Sequence, residues 1–292
     1  PGISSRRTGK IAESDFYFVR LRPISIDFPP KNYDLKGEDA ILNPITAEWS
    51  SVDELAYAQF TLRKVDEKSP IDVIKIPTDL ELKNGYGIEL DVQLTKDNVC
   101  VIAHDFHLLR ACGIDKQIDE CTYEELKEYK VFNSEYSIPK FEEVLKLIDH
   151  KVPMIVEIKQ KGGSCKVCEE AQKLLDEYKT DYVVESFNPL AMNWYRKHRP
   201  ELIRGQLSSY FKTDKNMNKY LKFCLKHYLL NFLSRPDFVA YDVDNYEEFS
   251  FNLLRRFMPS VLWTVKTKEK FNEVHNKYDI IIFEGFSTKD SK

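Results

Sequence analysis

The 292-residue sequence has no long apolar run, no excess of basic residues and no histidine before His104. No stretch reaches the roughly 18 apolar residues that a membrane-spanning helix needs, so we expect none. There are 43 basic and 47 acidic residues, a formal net charge of −4. Because nucleic-acid binding needs a basic surface, we expect no nucleic-acid partner. An apolar fraction of 42% and a charged fraction of 31% are typical of a soluble globular protein.

Paired cysteines are also scarce. Of the six cysteines, only Cys165 and Cys168 have metal-like or redox-like spacing, and no second pair or nearby histidine completes a zinc site. We therefore expect unpaired thiols, with zinc or redox chemistry as the alternative. Reduced cysteines suit an intracellular protein. The chain begins at Pro1 without a recognisable signal peptide, so we expect missing upstream residues and a cytoplasmic or membrane-associated location.

From about residue 84, short β-rich runs alternate with helical segments, which predicts a parallel α/β architecture. The predicted strands are Gly87–Gln93, Pro153–Lys159, Tyr182–Phe187, Ile203–Ser208, Phe238–Asp242, Val261–Val265 and Asp279–Glu284. Val99–Ala103 follows the first strand too closely for a crossover helix, so we expect a β-hairpin there.

Seven barrel strands after residue 84 predict a (β/α)₈ TIM barrel, and the chain length fits one. The eighth strand must then come from residues 1–83, an atypical N-terminal segment that supplies one strand and helix. Residues 84–292 form the remainder of the barrel. Phe16–Leu21 and Asp72–Ile76 are the strand candidates, and the sequence does not decide between them.

Acidic residues in two predicted strands share a face. Side chains two apart in a strand point to the same side, so Glu89 and Asp91 point together, as do Glu157 and Lys159. Parallel carboxylates in an interior are costly unless a cation or a proton neutralises them. An all-oxygen set of Glu89, Asp91 and Glu157 suits Mg²⁺ or Ca²⁺ rather than zinc. Lys159 would bind a phosphate oxygen, and an internal Glu–Lys ion pair is the alternative.

His104 ends the predicted hairpin and would overhang the mouth of the barrel, which makes it an acid/base candidate. His107 is interpreted as a surface or loop residue. Trp263 is a candidate apolar wall of the substrate pocket, with core packing as the alternative. The aromatic segment Lys219–Leu233 could contact a lipid surface, but a helix buried against the barrel is the favoured interpretation.

These pieces, in this order, resemble the glycerophosphodiester phosphodiesterase family. The resemblance covers roughly residues 83–286. It lies in Gly87-Ile88-Glu89-Leu90-Asp91-Val92-Gln93-Leu94-Thr95-Lys96-Asp97, His104-Asp105, Ile138-Pro139-Lys140-Phe141-Glu142-Glu143-Val144-Leu145, Val156-Glu157-Ile158-Lys159, Glu185-Ser186-Phe187-Asn188-Pro189 and Trp263-Thr264-Val265.

The resemblance implies a lipid-metabolism hydrolase that releases glycerol 3-phosphate and an alcohol from a small phosphodiester, using one divalent metal and two histidines. Glu89, Asp91 and Glu157 would bind the metal. His104 would be one of the two histidines, and Lys159 would help to hold the phosphate.

The first strand of the family carries a His-Arg-Gly motif followed by Pro-Glu-Asn, and this chain has no such motif. One account places residues 2–14 just after the motif, so that the chain starts behind its first catalytic pair. The other places Phe16–Arg22 in the first strand, where Arg20 or Arg22 could reach the phosphate. Neither restores the missing histidine. The alternative function is therefore a weak or silent barrel that binds metal and phosphate or serves as an interaction module. Phospholipase D-like chemistry on lysolipids or sphingolipids is a third interpretation.

Overall fold

The structure is a computed structural model that describes residues 16–20, 86–132, 134, 136–149, 152–178, 181–212 and 217–284. Its strands are β1 (Phe16–Arg20), β2 (Tyr86–Leu94), β3 (Cys100–Ile102), β4 (Met154–Ile158), β5 (Tyr182–Ser186), β6 (Arg204–Ser208), β7 (Phe238–Asp242), β8 (Ser260–Val265) and β9 (Ile280–Phe283). Its α-helices are α1 (Leu109–Cys112), α2 (Tyr123–Glu128), α3 (Phe141–Ile148), α4 (Lys166–Tyr178), α5 (Pro189–His198), α6 (Lys219–Lys226), α7 (Asn231–Ser234), α8 (Phe249–Leu254) and α9 (Lys268–Val274).

Eight parallel strands form a closed ring in the order β1, β2, β4, β5, β6, β7, β8, β9. The strand β1 closes it, because β1 pairs in parallel with both β2 and β9. Of the two N-terminal candidates, Phe16–Leu21 therefore supplies the eighth strand. Asp72–Ile76, Arg22 and residues 2–14 lie outside the described residues. The ring confirms the predicted (β/α)₈ barrel.

The strand β3 is the predicted hairpin partner, since it pairs antiparallel with the end of β2 from Val92 to Leu94. The turn between them is held by the Thr95 hydroxyl, which donates to Asp97 Oδ1 at 2.6 Å, and by Asn98 at a positive φ of 63°. Residues 86–89 of the same β2 edge pair with β1. The hairpin therefore extends the barrel at its C-terminal end.

Local signals in the sequence begin the helices that cover the barrel. Thr122 and Glu125 form the predicted capping box of α2. The apolar residues of α3 recur at the helical period and are buried, and Pro189 occupies the first turn of α5 behind the capping side chain of Asn188. These three helices each bury apolar side chains against the rest of the protein.

Alternation along each strand separates two apolar layers. Ile88, Leu90 and Val92 of β2 belong to the outer layer, packed under the helices. The inner layer fills the barrel and consists of Ile155, Leu207, Phe238, Ala240, Val261, Ile280 and Ile282. Gly205 on β6 makes room there, because a Cβ at this position would lie 2.1 Å from the Phe238 ring. The barrel interior is therefore a packed core below the level of its polar residues.

The segment Lys219–Leu233 differs from the favoured interpretation. It forms two short helices, α6 and α7, and α6 buries only Cys224. Tyr228 is buried in the core, but several large apolar side chains face solvent, with exposed fractions of 78% for Tyr220, 54% for Phe223 and 67% for Phe232. A count of apolar residues does not show which of them face the barrel. Among the described residues, no helix combines the length and apolarity needed to cross a bilayer.

Candidate active site

A cavity of about 1450 Å³ opens at the C-terminal ends of the barrel strands. This is the end at which (β/α)₈ barrels carry their functional loops. Five of the six predicted site residues line it, namely Glu89, His104, Glu157, Lys159 and Trp263. The sixth, Asp91, is fully buried beside them. The structure therefore brings all six together.

The three predicted metal ligands form one buried cluster. Glu89, Asp91 and Glu157 each contribute an oxygen, and these oxygens lie within 4.8 Å of one another. The register explains the proximity, because Asp91 on β2 pairs directly with Glu157 on β4, and Glu89 lies two residues before Asp91 on the same face. None of the three residues is more than 2% exposed. Clustering of three carboxylates away from water is favourable only with nearby positive charge.

Lys159 supplies part of that charge. Its Nζ lies 3.1 Å from Asp91 Oδ1 and 2.9 Å from Glu157 Oε1. The internal ion pair considered as an alternative is therefore present. Counted by themselves, the three carboxylates and this one ammonium carry a formal charge of −2, which matches the charge of a divalent cation. The residues present thus fit a metal ion with oxygen ligands.

His104 lies in the loop between β3 and α1 and is oriented by Asp105. The distance between His104 Nδ1 and Asp105 Oδ1 is 2.7 Å, and Arg110 Nε donates to the other oxygen of Asp105. Burial opposes ionisation of Asp105, but the hydrogen bonds from His104 and Arg110 outweigh it and hold its pKa well below the ordinary value. Because an ionised carboxylate only accepts, His104 carries hydrogen on Nδ1, and Nε2 is the ring nitrogen that Asp105 does not engage.

Gln93 fixes this loop to the carboxylate strand. Its side-chain amide donates to the carbonyl oxygens of Ala103 and Asp105 at 2.6 and 2.9 Å. Gln93 shares its strand face with Glu89 and Asp91, so one face of β2 presents two carboxylates and then anchors the histidine loop. Gln93 was not among the residues predicted for the site, although it lies two residues after Asp91 and so shares its strand face.

Aromatic side chains form one wall of the cavity. The rings of Phe187 and Trp263 pack edge to face with centroids 5.4 Å apart, and Phe211 packs against the other side of Phe187 at 5.7 Å. Lys159 Nζ lies 5.8 Å from the centroid of Phe187. Trp263 is therefore both a cavity wall, as predicted, and a neighbour of the inner core.

Two further acidic residues line the cavity and were missed. Glu185 on β5 is 1% exposed and pairs in register with Glu157. Asp242 ends β7, the strand opposite β2 in the ring, and burial raises the pKa of its carboxyl. The sequence could have indicated both residues, because each lies near the end of a predicted strand, at a position whose side chain points into the barrel.

The other histidines occupy varied places. His107 lines the cavity mouth, where its Nε2 lies 3.2 Å from Asp115, so it is closer to the site than expected. His227 pairs with Glu248 at 3.0 Å outside the cavity, and His150 lies outside the described residues. The six cysteines are unpaired, as predicted.

Known proteins are similar to this chain in both sequence and fold. Glycerophosphodiester phosphodiesterases from Bacillus altitudinis and Caldanaerobacter subterraneus are 30% and 33% identical over 127 and 132 residues. The matches cover 40% and 41% of this chain and 52% and 54% of the relatives, so the chain spans about half the length of the curated relatives it matches.

Solved structures share the fold at lower identity. A phosphodiesterase from Oleispira antarctica, solved in complex with the product sn-glycerol-3-phosphate, superposes with a TM-score of 0.58 at 17% identity, over 73% of this chain and 87% of that one. A glycerophosphodiester phosphodiesterase from Thermotoga maritima gives 0.52 at 22% identity, over 70% and 86%. The model of the glycerophosphoryl diester phosphodiesterase family matches residues 82–285, most of the chain. The chain belongs to this family.

Proposed function

We propose that the chain hydrolyses glycerophosphodiesters to glycerol 3-phosphate and an alcohol in a metal-dependent reaction. One observation carries the proposal: a buried carboxylate cluster, a lysine and an oriented histidine meet in a single cavity at the mouth of the barrel. Membership of the family supports it. So does the Oleispira antarctica relative, whose bound product is the one that this reaction would release.

Glu89, Asp91 and Glu157 would hold the metal, and their oxygen atoms suit either Mg²⁺ or Ca²⁺. When bound, the cation would offset the charge of the phosphate and stabilise the charge that develops on it. Lys159, already next to two of these carboxylates, would hold a phosphate oxygen. Trp263 would bound the pocket on its apolar side.

His104 would transfer a proton at the attacking or leaving oxygen. Asp105 holds hydrogen on Nδ1, so Nε2 would be the atom that exchanges a proton with substrate. Arg110 holds Asp105 in place, and Gln93 holds the loop that carries His104. Together these hydrogen bonds fix the direction in which Nε2 of His104 points. Positioning of this kind contributes to catalysis by reducing the freedom lost in the transition state.

A weak or silent barrel is the second candidate function. Among the described histidines, only His104 and His107 line the cavity, and His107 is engaged by Asp115. Loss of one of two acid/base groups costs about 10²–10⁴-fold in rate. Such a protein would retain metal and phosphate binding while turning over slowly or not at all.

The test is release of glycerol 3-phosphate from glycerophosphocholine with Mg²⁺, with Ca²⁺ and with chelator. We expect metal-dependent turnover that falls about 10²–10⁴-fold in His104→Ala and is lost in Glu157→Gln. His198→Ala, on the exposed end of α5, is the matched control and should keep wild-type rates. Turnover that persists unchanged in chelator would contradict the proposal. Metal binding by calorimetry without turnover would favour the silent barrel.

A further inference from the structure

Exposed apolar side chains occupy part of the rim of the cavity. Three leucines that line the cavity are also open to solvent, with exposed fractions of 56% for Leu109, 40% for Leu190 and 42% for Leu221. They come from separate places around the ring, on α1, α5 and α6. Large apolar side chains grouped at the surface mark interaction sites.

Helix α6 adds aromatic and basic side chains to this rim. A hydrogen bond of 2.8 Å from the Ser208 hydroxyl to the Leu225 carbonyl oxygen places α6 at the C-terminal end of β6. Tyr220 and Phe223 are 78% and 54% exposed. Lys219, Lys222 and Lys226 recur at helical spacing and so form a stripe on one side of α6, beside Phe223. The outer side of the helix therefore presents aromatic rings next to ammonium groups.

Residues 217–235 carry a net positive charge, whereas the whole chain is net negative. Residues 217–235 hold three lysines and one arginine and no acidic residue, whereas the whole chain has a net charge of −4. Lys226 is paired with Glu248 at 3.1 Å. Lys219 is exposed and Lys222 half-buried at the outer side of the helix. A basic, aromatic helix surface is complementary to anionic lipid headgroups.

We propose that the mouth of the barrel docks on an anionic lipid surface through α6. Tyr220, Leu221 and Phe223 enter the interfacial region, while Lys219 contacts the headgroups. Interleaved rings and ammonium groups fit a layered interface better than an apolar groove for a protein helix. The contact faces the opening of the cavity, so docking places the candidate active site against the lipid. This inference does not depend on catalytic activity.

The experiment measures co-sedimentation of the full chain with phosphatidylcholine vesicles, with and without phosphatidylserine. We expect binding to the anionic vesicles that weakens as salt is raised. Tyr220→Ser/Phe223→Ser should lower the partition coefficient about tenfold or more. Lys219→Gln should lower it by about fivefold on the anionic vesicles. Neither aromatic ring lines the cavity, so hydrolysis of a soluble substrate should not change.

The matched control removes two exposed apolar side chains at the other end of the barrel. Leu253 and Phe257 are 42% and 78% exposed, and they precede the start of β8. Leu253→Ser/Phe257→Ser should bind vesicles as the wild type does. An equal loss of binding in Tyr220→Ser/Phe223→Ser and in Leu253→Ser/Phe257→Ser would overturn the proposal. So would the absence of binding to anionic vesicles at low salt. A dimer in gel filtration that Tyr220→Ser/Phe223→Ser dissociates would assign the face to a second copy and overturn it as well.

Discussion

Asp105 joins the histidine of the site to an arginine on the surface. Its two oxygens receive hydrogen bonds from His104 and Arg110, and both bonds require the ionised carboxylate. At the scale of single residues, this small network decides which nitrogen of His104 carries hydrogen. Its contribution to the free energy of unfolding should be measurable at acid pH, without an activity assay.

The first residue-scale prediction concerns acid stability. The folded pKa of Asp105 lies below the unfolded value of about 3.9. The unfolded chain therefore binds more protons between the two values, and the unfolding free energy rises with pH there. This stabilisation is fully present above about pH 4 and is lost as pH falls through the folded pKa. In Asp105→Asn, the stability lost on acidification below about pH 4 should be smaller, as urea unfolding at several pH values would measure.

A surface carboxylate gives the comparison. The side chain of Asp115 is 90% exposed, so Asp115→Asn should follow the wild-type pH dependence of unfolding. Identical acid sensitivity in Asp105→Asn and the wild type would show that the network adds no stability.

The sequence predicted the metal-site carboxylates more completely than their surroundings. Parity along two strands was enough to place Glu89, Asp91 and Glu157 on inward faces, and register then brought them together. Glu185 and Gln93 obey the same parity, but a single inward polar residue does not reveal its partner. Partners across the ring depend on register, which no local pattern in the sequence specifies.

At the scale of elements, the contact between β6 and β7 depends on a missing side chain. Gly205 lies in register with Phe238, whose ring occupies the space that a Cβ would need. Phe238 is 3% exposed and belongs to the inner core of the barrel, so the ring has little room to move.

Gly205→Ala should therefore destabilise the protein by about 1–3 kcal/mol through overpacking. The measurement is the free energy of unfolding in urea, with Gly163→Ala as control, because no atom lies within 4 Å of a Cβ at Gly163. Adding Phe238→Leu to Gly205→Ala should recover part of the loss. A Gly205→Ala protein as stable as the control would mean that the Phe238 ring relocates freely.

Elements differ in how well the sequence predicts them. The seven strands after residue 84 were predictable, because each is a short apolar run between turn signals. The exposure of α6 was not. Its apolar side chains surround the helix, and only packing decides that Cys224 is buried while Phe223 is not.

At the scale of the whole molecule, the carboxylate cluster links metal binding to global stability. Its three carboxylates carry a formal charge of −3, or −2 when Lys159 is included, and like charges this close repel one another. A ligand that binds only the folded state raises stability by about 2.7 kcal/mol at a hundredfold excess over its Kd. Mg²⁺ or Ca²⁺ should therefore raise the Tm of the wild type.

Glu157→Gln should lose this metal-dependent rise in Tm. Glu142→Gln should keep it, because Glu142 is a surface residue paired with Lys146. Scanning calorimetry with metal and with chelator measures both shifts. Equal metal responses in the two variants would place the binding site elsewhere.

The closing strand β1 has a consequence for how the chain folds. Sixty-five residues separate it from β2 in sequence, yet it pairs with β2 and β9 at once. Without β1, the other seven barrel strands would form an open sheet, in which β9 and residues 86–89 of β2 would be edges where another molecule could add a strand. The pairing of β1 with both neighbours removes these two edges. Because it joins residues far apart in sequence, this closure is expected to form slowly.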